Sequence, residues 1–160
     1  MKNILIMLIA RNFILYLIFF VIIASIAGCM PHGDPVHFQL PDNYRGVFKL
    51  VLDPTNGLVV SLKEGQFTYV IPTNGVLRVK TFDPFDPFHT ESASYAGGTP
   101  IPMGPLLNPN ISPDVVACRD TGMHEDTGEN GQWVRSIAYV IGTENQELEA
   151  KEKRSWRLLK

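Results

Sequence analysis

Between Tyr44 and Thr81 the sequence consists of short runs in which apolar residues alternate with polar ones, a period typical of β-strands. Asn56-Gly57 and Asn74-Gly75 separate these runs, and Asn-Gly is a strong hairpin signal because both residues accept positive φ angles. Turns this short cannot hold the long crossover that two consecutive parallel strands need. The sequence therefore predicts an antiparallel sheet in this region.

The same pattern defines the two ends of the β-domain. Val36–Leu40 predicts a first strand and Trp133–Thr143 a last one, with strong helix formers after Thr143-x-x-Gln146, which is a capping-box pattern. We therefore expect a mainly β fold, an antiparallel β-sandwich of about seven strands of transthyretin-like or immunoglobulin-like type. It covers residues 36–143, and residues 144–160 follow as a C-terminal helix.

The N-terminal residues 1–28 are almost entirely apolar or small, with Lys2 and Arg11 as their only charges. The unbroken part, Phe13–Gly28, would measure about 24 Å as a helix, slightly short of a bilayer-spanning segment. Ser25-Ile26-Ala27-Gly28-Cys29 resembles the lipobox of bacterial lipoproteins, where small residues precede a lipidated cysteine. We expect residues 1–28 to be a signal-peptide helix; an uncleaved transmembrane anchor remains the alternative.

The resemblance to the lipobox implies that the thiol of Cys29 receives the lipid. Cys29 would then be the first residue of the mature chain. Residues 29–35 would then form a tether, and two acyl chains would give stable attachment to the membrane. The expected location is the bacterial cell envelope. Because Met30, not Asp, follows the cysteine, the outer membrane is the expected destination in a Gram-negative host.

Charge and cysteine content exclude two classes of protein. The 14 Lys and Arg residues against 16 Asp and Glu give no basic surface for nucleic acid, so no nucleic-acid partner is expected. Removal of residues 1–28 shifts the net charge from −2 to −4. Two cysteines in 160 residues exclude a disulfide-rich scaffold.

Two further motifs resemble a known group. Leu40-Pro41-x-x-Tyr44-Arg45-Gly46 and Tyr69-x-Ile71-Pro72-x-Asn74-Gly75-Val76-Leu77 resemble segments of a group of bacterial lipoproteins and secreted domains, over about residues 38–96. The pattern is also similar, less specifically, to transthyretin-like sandwiches. The resemblance implies no known activity and carries over no catalytic residue.

Asp-Thr-Gly, the signature tripeptide of aspartic proteases, occurs at Asp120–Gly122 and at Asp126–Gly128. The two copies are six residues apart in a polar segment that we predict to be a turn-rich loop, so they cannot come from two separate lobes. Asp-x-Gly is also common in turns. We therefore interpret both copies as turn residues.

The histidines are His32, His37, His89 and His124, and none has the spacing of a zinc site. No metal or other cofactor is therefore expected. Acidic residues nevertheless surround two of them, and a fold could bring His89, His124 and the acidic loop 120–129 together. A metal-dependent or hydrolytic envelope enzyme built on these residues remains the alternative function. Cys118, which follows an apolar run, is expected to be a buried strand residue.

Residues 82–112 are rich in proline and predict a long loop. Within it, Phe85, Phe88 and His89 form a candidate contact patch, although packing of both aromatic rings into the domain's own core is the favoured interpretation, since large exposed apolar patches are unusual on monomers. The favoured function is a non-enzymatic binding or structural module of the envelope. Its partners would be the membrane, through the lipid at Cys29, and an envelope protein.

Overall fold

A computed structural model describes residues 33–85, 88–105, 110–127 and 132–153. The signal-peptide helix predicted over residues 1–28, the lipidation site Cys29 and most of the tether lie outside the described residues, as do residues 154–160. The described residues all belong to one compact unit that begins at Gly33. The described residues contain no helix with the length and hydrophobicity that crossing a bilayer requires.

Sheet 1 has five strands in the order β3-β4-β1-β6-β7. The central strand β1 pairs in parallel with both β4 and β6, whereas β3 and β7 add antiparallel edges. The strands are β1 Val36–Leu40, β3 Leu62–Lys63, β4 Gln66–Val70, β6 Glu91–Tyr95 and β7 Pro100–Ile101.

Sheet 2 also has five strands, in the order β5-β2-β10-β9-β8. The central three are antiparallel, and β5 and β8 pair in parallel at the two edges. The strands are β2 Gly46–Leu52, β5 Val76–Val79, β8 Met103–Pro105, β9 Ala117–Thr127 and β10 Trp133–Gly142, and the helix α1 Glu144–Glu152 follows.

The two sheets enclose a core of aromatic and aliphatic side chains, so the predicted β-sandwich with a C-terminal helix is confirmed. Val36, Phe38 and Leu40 are fully buried, as the alternation in β1 predicts. The ring of Phe38 in sheet 1 contacts the rings of Phe48 and Tyr139 in sheet 2, at centroid distances of 5.3 and 4.7 Å. Aromatic contacts between the sheets therefore join the two layers.

The predicted antiparallel pairing is wrong for four of the strand pairs. Between β2 and β5, the Asn-Gly turns show why. Asn74-Gly75 does not close a hairpin: it leads from β4 in sheet 1 to β5 in sheet 2. Asn56-Gly57 follows β2 but does not join it to a hairpin partner. The next strand, β3, lies in sheet 1, whereas the neighbours of β2 in sheet 2 are β5 and β10. A short turn that crosses between two layers can place sequential strands in different sheets, where each pairs in parallel with a distant strand.

Two predicted loops also contain strands. The segment 82–112 holds a short 3-10 turn, Asp83–Phe85, and the three strands β6, β7 and β8. The segment from Asp120 to Thr127, predicted as a turn-rich loop, is the second half of β9. Its first Asp-Thr-Gly therefore belongs to a strand; residues 128–131, which include the end of the second copy, lie outside the described residues.

The helix α1 covers the outer face of sheet 2. It begins where predicted: the backbone N–H of Thr143 donates to Oε1 of Gln146 at 3.0 Å, as the capping-box pattern indicates. Because α1 packs against β10 and β2, every residue from Ser136 to Gly142 is buried. Both faces of the central strand β10 are thus removed from solvent.

Candidate functional site

An acidic cleft of about 390 Å³ lies where β6 of sheet 1 meets β8 and β9 of sheet 2. The residues that line it are His89, Glu91, Met103, Gly104 and Asp120. We call this the acidic cleft. It brings a histidine and two carboxyl groups, from three separate segments of the chain, to one cavity, and it is the candidate functional site.

Glu91 is the central residue of the acidic cleft. As the first residue of β6 it lies on the same face as the buried Ala93, so its side chain is directed toward the interior of the sandwich. The hydroxyl of Tyr139 donates to Oε1 of Glu91 at 2.7 Å, and Nε2 of His89 lies 2.9 Å from the same oxygen. These two contacts satisfy a carboxyl group that would otherwise be costly to bury.

Tyr139 supports the site from beneath. Its ring is fully buried and stacks on Phe48 with centroids 4.9 Å apart, which fixes the direction of the hydroxyl. Burial, together with the nearby Glu91, raises the pKa of Tyr139 far above its usual range. The hydroxyl therefore stays protonated and acts as a hydrogen-bond donor at any physiological pH.

A β-bulge positions Asp120 at the rim of the cleft. The register between β9 and β10 shifts between Ala138 and Tyr139, so that Tyr139 pairs with Asp120 and Ala138 with Gly122. Thr121 is the extra residue, and its hydroxyl donates to the carbonyl of Ala138 at 2.7 Å. Bulges of this kind commonly redirect side chains beside functional sites.

Asp120 is held in place by the same bulge. Its Oδ1 accepts a hydrogen bond from the backbone N–H of Gly122 at 2.7 Å, and Gly122 has the left-handed φ of 91° that the bulge requires. Partial burial and the nearby Glu91 raise the pKa of Asp120, although that hydrogen bond and the two histidines His89 and His124 oppose the rise. These surroundings make the side chain of Asp120 easier to protonate than that of an ordinary aspartate.

The residues of the alternative enzyme hypothesis are partly brought together. His89 and Asp120, far apart in sequence, line one cavity, and His124 lies close enough to influence the pKa of Asp120. His124 does not line the cleft: its Nε2 lies 3.0 Å from the hydroxyl of Thr121. Within the described ranges, no group of three or more His, Cys, Asp or Glu side chains is arranged to hold a metal ion.

The three residues of the predicted contact patch lie in different environments. Phe85 packs on Phe38 in the core at a centroid distance of 6.3 Å. Phe88 is 79% exposed, and the side chain of His89 is mostly buried. The patch residues therefore do not form one continuous exposed surface; the contact role itself stays a prediction.

Two other sequence candidates lie outside the acidic cleft. Cys118 is fully buried, as expected, and burial raises the pKa of its thiol well above the usual value, so the reactive thiolate is suppressed. His37 is on the outer face of sheet 1, with its two ring nitrogens 2.9 and 3.0 Å from the hydroxyls of Ser92 and Ser94. Burial lowers the pKa of His37.

Sequence reasoning missed Glu91 and Tyr139 as members of the site. The available signal was the spacing of His89 and Glu91, two polar side chains in alternate positions at the beginning of an alternating run. The role of Tyr139 had no local signal, because its partner lies 48 residues away in the other sheet.

Comparison with known proteins gives few matches. No protein-family model matches the chain, and no curated protein does. The fold is similar to a crystal structure described as that of a candidate lipoprotein from Bacillus anthracis, with 10% sequence identity and a TM-score of 0.47. The similarity covers 70% of this chain and 71% of that one. Similarity at this level carries no argument about what either protein binds or does.

Proposed function

We propose that this protein is a lipid-anchored module of the bacterial cell envelope that acts by binding, without catalysis. The single observation that carries the proposal is the sequence Ser25–Cys29, in which small residues precede a cysteine directly after the apolar N-terminal segment. The β-sandwich formed by sheets 1 and 2 supports it, because rigid β-scaffolds commonly present binding residues at their edges and loops. The acidic cleft is the binding surface we would test first.

The lipid anchor is tested by the intact mass of the protein extracted from membranes. We expect a mass that lacks residues 1–28 and includes a diacylglycerol on Cys29. Cys29→Ala should abolish both changes. Cys118→Ala is the matched control, because it removes the other cysteine and should leave processing and acylation intact. Equal acylation of the Cys29→Ala protein would refute the proposal.

One observation favours the second candidate function, a hydrolytic or metal-dependent envelope enzyme. The acidic cleft combines a histidine with two carboxyl groups, and the pKa of Asp120 is raised, as in residues that transfer protons. Elemental analysis of the purified protein separates the two functions. Stoichiometric zinc or calcium that is lost in His89→Ala or His124→Ala would support the enzyme and overturn the binding-module proposal.

A further inference from the structure

Phe88 is the most exposed of the phenylalanines that the structure describes. Its side chain is 79% exposed, whereas Phe82 and Phe85, only a few residues earlier, pack against the core. A single exposed apolar side chain is common on protein surfaces and has no meaning by itself. Phe88 is informative because it lies next to the residue at which the domain begins.

Phe88 lies directly against the residue where the domain begins. The backbone N–H of Gly33 donates to the carbonyl of Phe88 at 2.6 Å, and the compact domain starts at Gly33. Gly33 is four residues after Cys29. Whatever conformation those residues adopt, they span at most about 14 Å. A lipid on Cys29 therefore holds Phe88 close to the membrane surface.

Parallel pairing places the beginnings of three strands side by side at one end of sheet 1. This row of strand beginnings is the edge that Phe88 belongs to. Val36 pairs with Phe67 on one side and Glu91 on the other, so β1, β4 and β6 all begin at the edge that carries Phe88. The turn between β3 and β4 lies at the same edge, because Lys63 pairs with Gln66.

The exposed charges of this edge nearly balance. Lys63 is exposed, and so are the acidic residues Asp34 and Glu64. His89 and Glu91, behind Phe88, pair with each other and are mostly buried. Among the residues that the structure describes, this edge therefore has no excess of positive charge for anionic headgroups, and its contribution to membrane contact would be apolar.

We propose that Phe88 inserts into the interfacial region of the membrane beside the lipidated N-terminus, so that this edge of sheet 1 faces the bilayer. The inference rests on the proposed lipid anchor at Cys29. The short tether supplies the proximity, and the aromatic ring supplies a second contact, since aromatic side chains favour the boundary between headgroups and acyl chains. Two contacts fix an orientation that a single flexible anchor would leave free.

The test places a tryptophan at the proposed contact in the full lipidated protein, reconstituted into phosphatidylcholine vesicles. Phe88→Trp is compared with Val70→Trp, both in a background where Trp133 and Trp156 are replaced by Phe. Val70 is the matched control because its side chain is 61% exposed and it ends β4, at the opposite edge of the same sheet. Fluorescence is quenched either by brominated lipid or by aqueous acrylamide.

We expect the tryptophan at position 88 to be quenched several-fold more by brominated lipid, and several-fold less by acrylamide, than the one at position 70. Equal quenching of both positions in vesicle-bound protein would overturn the inference and leave the lipid anchor intact. Protection at position 88 that disappears when lipid is increased at constant protein would indicate contact with a second copy, and would also overturn it. Protein that fails to float with the vesicles would instead refute the anchor.

Discussion

Arg119 of β9 and Glu147 of α1 form an ion pair that is completely buried, with Nε of the arginine 2.8 Å from Oε2 of the glutamate. The same guanidinium donates to the carbonyl of Gly142, the last residue of β10, at 2.8 Å. Arg119 thus connects the helix to two strands of sheet 2. The pair accounts for the position of a short, polar helix that has little apolar surface to bury.

We expect Glu147→Ala to lower the free energy of unfolding by about 3–5 kcal/mol, because it leaves the guanidinium of Arg119 buried without its counter-charge. Urea unfolding of the purified protein measures this. The control is the double variant Arg119→Met with Glu147→Leu, which removes both charges and should recover most of the loss. A loss below about 1 kcal/mol in the single variant would show that the ion pair does not hold the helix.

Gly57→Ala should destabilise the fold by steric overlap. A Cβ at position 57 would approach the backbone oxygens of Val79 and Asp53 to 2.6 and 2.5 Å, and backbone atoms cannot move aside as a flexible side chain can. Gly65→Ala is the matched control, because its φ of 77° imposes backbone strain of about 1–2 kcal/mol in open space. We expect the larger loss at position 57, measured by thermal unfolding; an equal or smaller loss there would contradict the packing of β5 against this turn.

Tyr139→Phe should lower the free energy of unfolding by removing one hydrogen bond of the acidic cleft, without disturbing the packing of the core. It keeps the ring stacked on Phe48 and removes the donor to Glu91, at an expected cost of about 1–3 kcal/mol because a buried carboxyl oxygen loses a partner. Tyr44→Phe is the comparison: its hydroxyl donates to the carbonyl of Val47 at 2.7 Å at a half-buried site, and its loss should cost less. Chemical unfolding of both variants ranks the two bonds, and a smaller effect at position 139 would contradict the geometry of the cleft.

The raised pKa of Asp120 predicts how stability depends on pH. Between the unfolded-state pKa and the raised folded-state pKa, the folded protein binds more protons than the unfolded chain, so ionisation of Asp120 lowers stability as pH rises. Asp120→Asn removes this loss and keeps an oxygen for the N–H of Gly122. We expect the variant to be more stable than the parent at pH 7, with the difference disappearing below 3.8, the ordinary pKa of an aspartate side chain. A constant difference across pH would contradict the prediction.

The elements that could be predicted from the sequence are those in which a local contact determines the pattern of residues. β1 was identified with its observed bounds, because Val36, Phe38 and Leu40 face the core and alternate with polar residues. The beginning of α1 was identified from the pattern of Thr143 and Gln146. In both cases the physical cause, a buried face or a capping hydrogen bond, leaves a local trace.

The second half of β9 left no such trace. Its neighbours explain this: β8 pairs only with Cys118–Asp120, and β2 reaches only Ser136–Ile141 of β10. Among the described residues, the strand therefore pairs with β10 alone from Gly122 onward, and residues 125–127 continue with residues 133–135 past the rest of the sheet. Such a ribbon does not need alternating apolar residues, so its polar sequence resembles a loop.

The acidic cleft could be predicted only in part. Two of the side chains that line it, His89 and Asp120, are polar residues that sequence patterns single out, yet their convergence depends on which strands are neighbours. The order of the strands could not be predicted from the sequence, because a turn such as Asn74-Gly75 has the same sequence whether it closes a hairpin or crosses between layers. Glu91 and Asp120 meet only because β6 and β9 lie in different sheets at the same rim.

The pairing of β2 with β10 has a consequence for how the chain reaches its native state. Leu50 pairs with Ile137, so the centre of sheet 2 joins a strand near the beginning of the domain to one near its end. That sheet cannot assemble until the β-domain has been synthesised as far as β10. Contacts between residues so distant in sequence fold slowly. Slow assembly would suit the export that we propose, because a chain that is still unfolded can be threaded through a narrow translocation channel.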